Sequence, residues 1–464
     1  MNCAVNFFLP GAPMFASVVR VAGLLAVSAV IGVGAHAQSL PPVRPLGPVV
    51  RVSPADLLGS VSAARPLPGG KVLVNDIVRR QLVLLDSTFA REAIVADTTA
   101  ATANAYGGRA GGLIPFRGDS SLFIDPASLS MLVVDGSGKV ARVMAVPRPN
   151  DAQFMVGGPF GTPGFDSKGR IVYRGFMRPN MPPPGAERSG VMRIPEQADS
   201  APILRVALDT RVLDTASYFK IPKTSATVTQ NDRGQMSVSM VMNPMPVVDD
   251  WTLLPDGTLA VVRGADYHID WLAPDGSRTS TPKIPFEWQR MSDEAKVTFL
   301  DSAKTAMEAN RARMAAAGGN QTIVTSGGPA GGAAPAGGGM VMRFEVGGPG
   351  GGPPPAGGPA PAAGSMPTSM APPALNMVKP SELPDYRPAF GTGATRADLD
   401  GNLWIRTSKV ANGGPVYDVI NRSGTLIDRV AFPFGRVIAG FGPGVVYMGV
   451  RDDKGARLEV ARIR

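Results

Sequence analysis

The chain has 464 residues, of which 44% are hydrophobic and 18% charged, and its formal net charge is +9. A chain of this length can bury a large core without disulfide staples, and its single cysteine excludes an intramolecular disulfide. Acidic and basic residues are mixed along the chain without a Lys/Arg run or a basic helix, so nucleic acid is not an expected partner.

The first 37 residues have the pattern of an export signal. An uncharged apolar run over 21–34 follows Arg20 and precedes a small-residue site that ends at Ala37. The run is shorter than the roughly 20 residues of a transmembrane helix. We therefore expect a signal peptide over 1–37, cleavage near Ala37, export to the periplasm or the extracellular space, and no membrane span.

Cleavage of this signal changes the inventory of reactive side chains. Translation starts at Met1 or at Met14, and in either case the mature chain loses His36 and any Cys3. His268 is then its one histidine and no cysteine remains. A multi-histidine zinc site and a cysteine nucleophile are therefore not expected.

A repeated layout organises the chain after the signal. Six segments each contain a turn rich in Gly, Asp or Pro, followed by a short apolar strand. They are PLPGGKVLV (66–74), PFRGDSSLFI (115–124), GFDSKGRIVY (164–173), LLPDGTLAVV (253–262), ADLDGNLWIR (397–406) and GFGPGVVYMG (440–449). Further apolar strands follow in each unit, and the first three units recur at roughly the 50-residue spacing of propeller blades.

The composition of these strands favours a propeller over a β-sandwich. Runs such as KVLV, SLFI and TLAVV are continuously apolar, as in sheets that are buried on both faces, whereas sandwich strands alternate more clearly. We predict an all-β fold, a six-bladed β-propeller. The strand PVVRVS (48–53) is expected to close it as the outer strand of the last blade, which removes exposed sheet edges.

Insertions separate some of these units. In unit three we expect a loop over 176–188, a third strand at SGVMRI (189–194) and a further insertion over about 205–246. A helix is predicted over 291–317, where Ser292 can cap its first turn. The following Gly/Pro/Ala-rich segment, 318–374, has too little apolar surface to offset its ordering entropy and is expected to be disordered.

These features divide the chain into five parts. They are the signal peptide (1–37), blades 1 to 4 (38–290, with the closing strand 48–53), the inserted helix (291–317), the low-complexity insertion (318–374) and blades 5 and 6 (375–464).

The third-strand motif HIDWLAPDGS (268–277) carries a family resemblance. Ile269, Trp271, Asp275 and Gly276 match the I-x-V-F-x-x-D-G strand of NHL repeats. MLVVDGSG in unit two and YDVINRSG in unit five are similar. The chain thus resembles six-bladed propellers of the NHL, TolB-like and SMP-30/gluconolactonase kind, which implies the fold and says little about function.

Propeller topology places the loops between second and third strands on one face, where polar residues are expected to surround one mouth of the central channel. The second strands end at Asn75, Asp76, Asp125, Arg174, Arg263 and Arg406, and the loop of unit four adds Asp266, Tyr267 and His268. Segments between blades add Arg109, Arg387, Arg396 and Arg436. Several arginines favour a carboxylate, phosphate or acidic peptide. The alternative is that these strand ends are solvated or pair with one another, as Arg174 and Asp125 can.

Three roles stay open for His268. It can act as a general base oriented by Asp266 or Asp270, as a pH-sensitive ligand contact, or as a polar residue that starts a strand. No G-x-S-x-G motif accompanies it, so we assign no catalytic residue.

The sequence therefore predicts an exported binding or scaffold protein, without a cofactor and monomeric, with an Arg-rich mouth for an anionic small molecule or peptide, or for a protein partner. The alternative is a calcium-assisted ester or lactone hydrolase, as the SMP-30 resemblance implies. Its oxygen ligands would be Asn75, Asp76, Asp125 and Asp266. That family also uses a glutamate ligand, and none of these loop positions is Glu.

Overall fold

A computed structural model describes most of the chain after the predicted signal. It covers residues 40–99, 106–159, 161–175, 198–223, 225–230, 236–316, 376–452 and 455–464. The predicted signal peptide, the loop over 176–188 and the low-complexity insertion lie outside these ranges and stay predictions.

Two short strands and three blades make up the first half of the described chain. The two N-terminal strands are β1 (Val43–Pro45) and β2 (Val49–Val52). Blade 1 consists of β3 (Ala63–Pro66), β4 (Val72–Asp76), β5 (Gln81–Leu85) and β6 (Arg91–Ala96), and blade 2 of β7 (Gly112–Pro115), β8 (Ser121–Asp125), β9 (Ser130–Val134) and β10 (Val140–Ala145). Blade 3 consists of β11 (Gly164–Phe165), β12 (Arg170–Arg174), β13 (Ser200–Ala207) and β14 (Leu213–Lys220).

The second half contains three more blades, a helix and a small additional sheet. A hairpin of β15 (Ser225–Gln230) and β16 (Met236–Met242) precedes blade 4, which consists of β17 (Asp250–Leu253), β18 (Leu259–Arg263), β19 (His268–Leu272) and β20 (Arg278–Ser280). Helix α1 (Asp293–Ala316) and β21 (Asn376–Met377) follow. Blade 5 has β22 (Phe390–Ala397), β23 (Leu403–Ala411), β24 (Gly414–Ile420) and β25 (Leu426–Ala431), and blade 6 has β26 (Arg436–Gly442), β27 (Val445–Asp452) and β28 (Gly455–Arg462). Short 3-10 helices span Pro68–Gly70, Pro149–Phe154 and Pro380–Glu382.

The first strand of each blade is the innermost one. Strands β3, β7, β11, β17 and β22 lie beside one another in that order, and β26 lies beside β3. Each boundary between neighbouring blades, including that between blades 5 and 6, holds its own hydrophobic cluster. The prediction of an all-β, six-bladed β-propeller is therefore confirmed.

Burial on both faces explains the continuous apolar strands. All five residues of β4 and all five of β8 are buried. At the boundary of blades 4 and 5, Val262 and Ile269 pack with Leu403 and Ile405. A blade between two blades has no solvent face along its inner strands, so the alternation of a one-sided sheet is lost.

The N-terminal strands close the ring as predicted and add one unexpected pairing. Strand β2 pairs antiparallel with β28 and completes blade 6. Strand β1 pairs parallel with β25 and gives blade 5 a fifth strand. The Arg44 guanidinium binds the Asp428 carboxylate at 2.6 Å beside that pairing. One N-terminal segment therefore covers the outer edges of two blades.

The sequence interpretation of blade 3 was wrong. Its third strand is β13, which pairs with β12 so that Leu204 lies opposite Tyr173, and β14 is its fourth. The segment expected to hold the third strand, 189–194, lies outside the described residues. Strands β13 and β14 follow it, and most of their residues lie in the region that was expected to be an insertion. The long gap in the repeat before blade 4 led us to expect an insertion there instead of these two strands. Ile203, Leu204 and Val206 nevertheless supply the buried apolar side chains of an ordinary blade strand.

The helical insertion packs outside the blades. Phe299 and Leu300 of α1 join Met245, Met291 and Leu383 in a separate hydrophobic cluster. Strands β15, β16 and β21 form the small additional sheet. Within the described residues, no helix is long and apolar enough to cross a membrane.

Candidate functional site

Asn75, at the end of β4, joins blade 1 to blade 2. Its side chain is buried, and its Nδ2 donates to the Gly111 carbonyl at 2.8 Å. The Tyr106 hydroxyl donates to its Oδ1 at 3.0 Å, and the same hydroxyl accepts from the Gly111 N–H at 2.9 Å. These bonds hold the segment that leads into blade 2.

Two predicted site carboxylates are occupied by donors from their own chain. Asp76 accepts from the Gly59 N–H at 2.6 Å and from backbone N–H groups of its own turn. Asp125 accepts from the Gly107 N–H at 3.2 Å and from the hydroxyl and N–H of Ser128. A calcium ion would have to displace these donors. The described residues contain no group of three or more His, Cys, Asp or Glu placed to hold a metal.

Arg174 lies in the apolar boundary region of blade 3 rather than at an open surface. Its guanidinium stands 4.8 Å from the ring centroid of Phe154. Burial lowers the pKa of Arg174 to about 10. This side chain therefore packs within the fold as a cation over an aromatic ring.

Arg263 ties blade 4 to the outer strand of blade 3. Its Nη1 donates to Asp249 Oδ2 at 2.8 Å and to the Tyr218 carbonyl at 3.0 Å, and its Nε donates to Asp270 Oδ2 at 2.7 Å. We expected this guanidinium to bind a ligand, but two carboxylates already accept its hydrogen bonds.

His268 lies between two carboxylates on the same face of blade 4. Its Nδ1 is 2.6 Å from Asp266 Oδ1, and its Nε2 is 3.4 Å from Asp270 Oδ1. Asp270 also accepts from the Ser280 hydroxyl. The ring is therefore held in a fixed orientation beside Arg263. This geometry fits each of the roles that the sequence left open.

Tyr267 is an interior residue that connects blades 4 and 5. It is fully buried, adopts a left-handed backbone with φ of 56°, and donates its hydroxyl to Asp418 Oδ2 at 2.8 Å. Burial raises the pKa of Asp418 to about 6, while Tyr267 and the nearby Arg429 lower it in part. The tyrosine thus packs in the boundary between blades 4 and 5.

Arg396, which the sequence placed only near the mouth, reaches from blade 5 to the segment that leads into blade 3. It belongs to the innermost strand of blade 5, and its Nη1 donates to Thr162 Oγ1 at 3.2 Å and to the Thr395 carbonyl at 2.7 Å. Thr162 precedes β11 and bridges to Thr252 of β17. The inner segments of blades 3, 4 and 5 therefore meet around this guanidinium.

Asp250, the first residue of β17, was not anticipated from the sequence. Its Oδ2 accepts from the Thr395 N–H at 2.8 Å and from the Thr395 hydroxyl at 3.0 Å. Its Oδ1 is buried and has no hydrogen-bond partner among the described residues. Burial raises the pKa of Asp250 to about 6. The signal in the sequence was the pair of acids before the apolar run WTLL.

Arg406 is a half-buried cation close to Arg396. Strand β22 bulges between Phe390 and Thr395, so Arg406 has no partner on the inner strand and pairs only with Tyr417. Within the part of the chain that the structure describes, its side chain makes no ion pair or hydrogen bond. Burial lowers the pKa of Arg396, and the charge of Arg406 lowers it further. Two positive charges therefore lie close together in blade 5.

Most of the predicted site residues fall into three groups. Asn75 and Asp125 bind the segment that leads into blade 2, and Asp76 binds the segment that leads into blade 1. Arg263, Asp266 and His268 lie on blade 4, and Arg406 lies near Arg396 on blade 5. The remaining two, Arg174 and Tyr267, are buried within the fold. Of the other arginines between blades, Arg109 is exposed and Arg436 pairs with Glu459 at 3.2 Å.

The molecule is thus a six-bladed β-propeller in which two arginines of blade 5, Arg396 and Arg406, lie close enough to interact electrostatically. No protein-family model and no curated protein matches the chain. Solved structures similar to it include virginiamycin B lyase from Staphylococcus aureus, with 10% identity over 88% of this chain and 96% of that chain at a TM-score of 0.34. A gluconolactonase from Xanthomonas campestris has 11% identity over 91% and 100% at 0.35. A member of the duf4221 family from Bacteroides vulgatus has 8% identity over 91% and 98% at 0.42. Likenesses this distant say nothing about the ligand or reaction of this chain.

Proposed function

We propose that this chain is an exported binding protein whose channel takes the anionic group of a small molecule or peptide. The observation that carries the proposal is the pair Arg396 and Arg406. Arg396 donates to a hydroxyl and to carbonyl groups, and Arg406 has no acidic partner among the described residues. Two neighbouring guanidinium groups without a bridging carboxylate form a receptor for an anion.

Electrostatics supports an anion rather than a neutral ligand. The two like charges repel each other in a partly buried place, where Coulomb interactions are stronger than in water. An anion between them would turn this repulsion into attraction. Asp250 is close enough to Arg396 to raise its pKa, but its Oδ2 is held by Thr395.

Arg406→Ala tests this proposal. The probes are citrate and inorganic phosphate, titrated at constant ionic strength and followed by calorimetry and by the shift in melting temperature. We expect at least one probe to stabilise the protein. Loss of the Arg406 guanidinium should weaken that binding about tenfold or more, which corresponds to about 1.4 kcal/mol.

Arg109→Ala is the matched control, because it removes an equal charge from an exposed site. It should leave the affinity within about twofold, since surface charges at a distance are screened. Equal affinities of the Arg406→Ala protein and the unaltered protein would contradict the proposal. The calcium-assisted hydrolase has no specific observation in its favour and is not taken further.

A further inference from the structure

A cleft beside the inserted helix has neither Arg396 nor Arg406 among the residues that line it. We call it the helix cleft. Its volume is about 50 Å³, taken as the space open to the centre of a water-sized sphere, and the cleft opens to solvent. Its walls include Met245, Phe299, Arg387, Phe390 and Ser408. Helix α1 thus supplies one side of the cleft and blade 5 the other.

The walls of the helix cleft are mainly apolar. Met245, Phe299 and Phe390 are each more than nine-tenths buried by the protein. Three prolines, Pro244, Pro246 and Pro388, add further apolar lining, and Gly391 and Thr407 complete it. Ligand pockets combine such apolar walls with a few polar groups that fix orientation.

Arg387 is the charged group of the helix cleft, and its charge is uncompensated. Its guanidinium lies 6.0 Å from the ring centroid of Phe299. Its Nε is shielded from solvent and has no hydrogen-bond partner among the described residues, and no acidic side chain in that part of the chain pairs with it. The acid two residues earlier, Asp385, is already bound to Lys296 at 2.7 Å.

We propose that the helix cleft binds a small carboxylate with an aromatic or aliphatic body. The carboxylate would accept hydrogen bonds from Arg387, because a guanidinium presents a planar fork that matches two carboxylate oxygens. The apolar body would lie against Phe299 and Met245. A carboxylate at the guanidinium would also supply the negative partner that no acidic side chain among the described residues provides. This site does not depend on the function proposed for the channel.

Phenylacetate is the probe, and its amide, phenylacetamide, is the uncharged control of the same shape. Both are titrated into the full-length mature protein and followed by saturation-transfer NMR and calorimetry. We expect phenylacetate to bind at least tenfold more tightly than phenylacetamide. Equal affinities of the two compounds, or no binding of phenylacetate, would overturn the proposal without any substitution in the protein.

Two substitutions then locate the site. Arg387→Ala should weaken phenylacetate binding tenfold or more, and Arg387→Lys should weaken it less, because lysine keeps the charge and loses the fork. Arg406→Ala, in the channel, should leave phenylacetate binding within twofold. If Arg406→Ala abolished it and Arg387→Ala did not, the helix cleft would be excluded and the channel would be the site. The far-ultraviolet spectrum and melting temperature of each variant establish that it is folded.

Discussion

Buried tyrosines show how single residues join the blades of this propeller. In each case the hydroxyl donates to an amide or carboxylate of another segment at a blade boundary. The pairs are Tyr106 with Asn75, Tyr173 with Asp151 and Tyr267 with Asp418. Such bonds satisfy polar groups that would otherwise be costly to bury. A polar residue at a strand end is therefore an ambiguous sign of a ligand site in this fold.

The protonation of Asp250 links one residue to the stability of the whole protein. Its pKa is raised to about 6 by burial, whereas an aspartate in an unfolded chain titrates near 3.9. The folded state therefore binds this proton more tightly than the unfolded chain does. The resulting stabilisation is complete below about pH 4 and is lost as the pH rises through about 6.

We predict that Asp250→Asn becomes relatively more stable as the pH rises from 4.5 to 7.5. Asparagine can still accept from Thr395 but carries no charge, so the free energy of unfolding of the variant minus that of the unaltered protein should increase by roughly 2 kcal/mol. Urea unfolding at several pH values measures the difference. The similar titration of Asp418 cancels, because both proteins contain it.

Asp275→Asn serves as the control for this pH dependence. Asp275 lies in an exposed turn, and its hydrogen bonds to Ser277 hold its pKa below its ordinary value. It is ionised in both folded and unfolded chains above pH 4.5. The difference in the free energy of unfolding between Asp275→Asn and the unaltered protein should therefore not change with pH. If the corresponding difference for Asp250→Asn did not change with pH either, Asp250 would not titrate as described.

At the scale of elements, the two N-terminal strands perform different tasks. Strand β2 supplies the fourth strand of blade 6, whereas β1 is a fifth strand on a blade that already has four. Without β2, the backbone of β28 would be a bare edge. Unpaired edges favour aggregation.

Two truncations test this division. Removal of the chain before residue 46 eliminates β1 and the half-buried Arg44–Asp428 ion pair. It should lower the free energy of unfolding by about 1 kcal/mol, since a single ion pair near the surface and a three-residue outer strand contribute little. Removal of the chain before residue 53 also eliminates β2. It should cost about 3 kcal/mol or more, because several backbone hydrogen bonds and apolar cover are lost together. Urea unfolding and size-exclusion chromatography measure both effects. Equal losses in the free energy of unfolding for the two truncated proteins would contradict the different roles of β1 and β2.

At the scale of the whole molecule, the ring depends on close contact between its first and last blades. A Cβ placed on Gly440 of β26 would lie 2.1 Å from the carbonyl oxygen of Ala64 in β3. A backbone carbonyl cannot rotate out of the way of an added Cβ, as the end of a flexible side chain can. This glycine therefore allows the innermost strands of blades 6 and 1 to approach each other.

We predict that Gly440→Ala lowers the free energy of unfolding by about 2 kcal/mol or more, because the two inner strands must separate. Gly108→Ala is the control, since its added Cβ would meet nothing closer than an Arg80 nitrogen at 3.9 Å. The control should stay within about 0.5 kcal/mol of the unaltered protein. Similar costs for the two variants, measured by urea unfolding, would exclude this account of ring closure.

The sequence by itself determined the number of blades, the closing strand and the inserted helix. These features rest on local signals: apolar runs, Gly- and Asp-rich turns, and a capped helical segment. It failed in blade 3, where β13 and β14 follow a long insertion and the spacing of the repeat is lost.

Only the tertiary structure decided what the polar residues do. Tyr267 and Asp418 are 151 residues apart in the chain and meet across a blade boundary, and Arg396 meets Thr162 across 234 residues. The bulge that leaves Arg406 unpaired is likewise a property of how β22 pairs with β23. Partners so distant in the chain are set by the closure of the ring, and no local pattern of residues encodes which strand ends face each other.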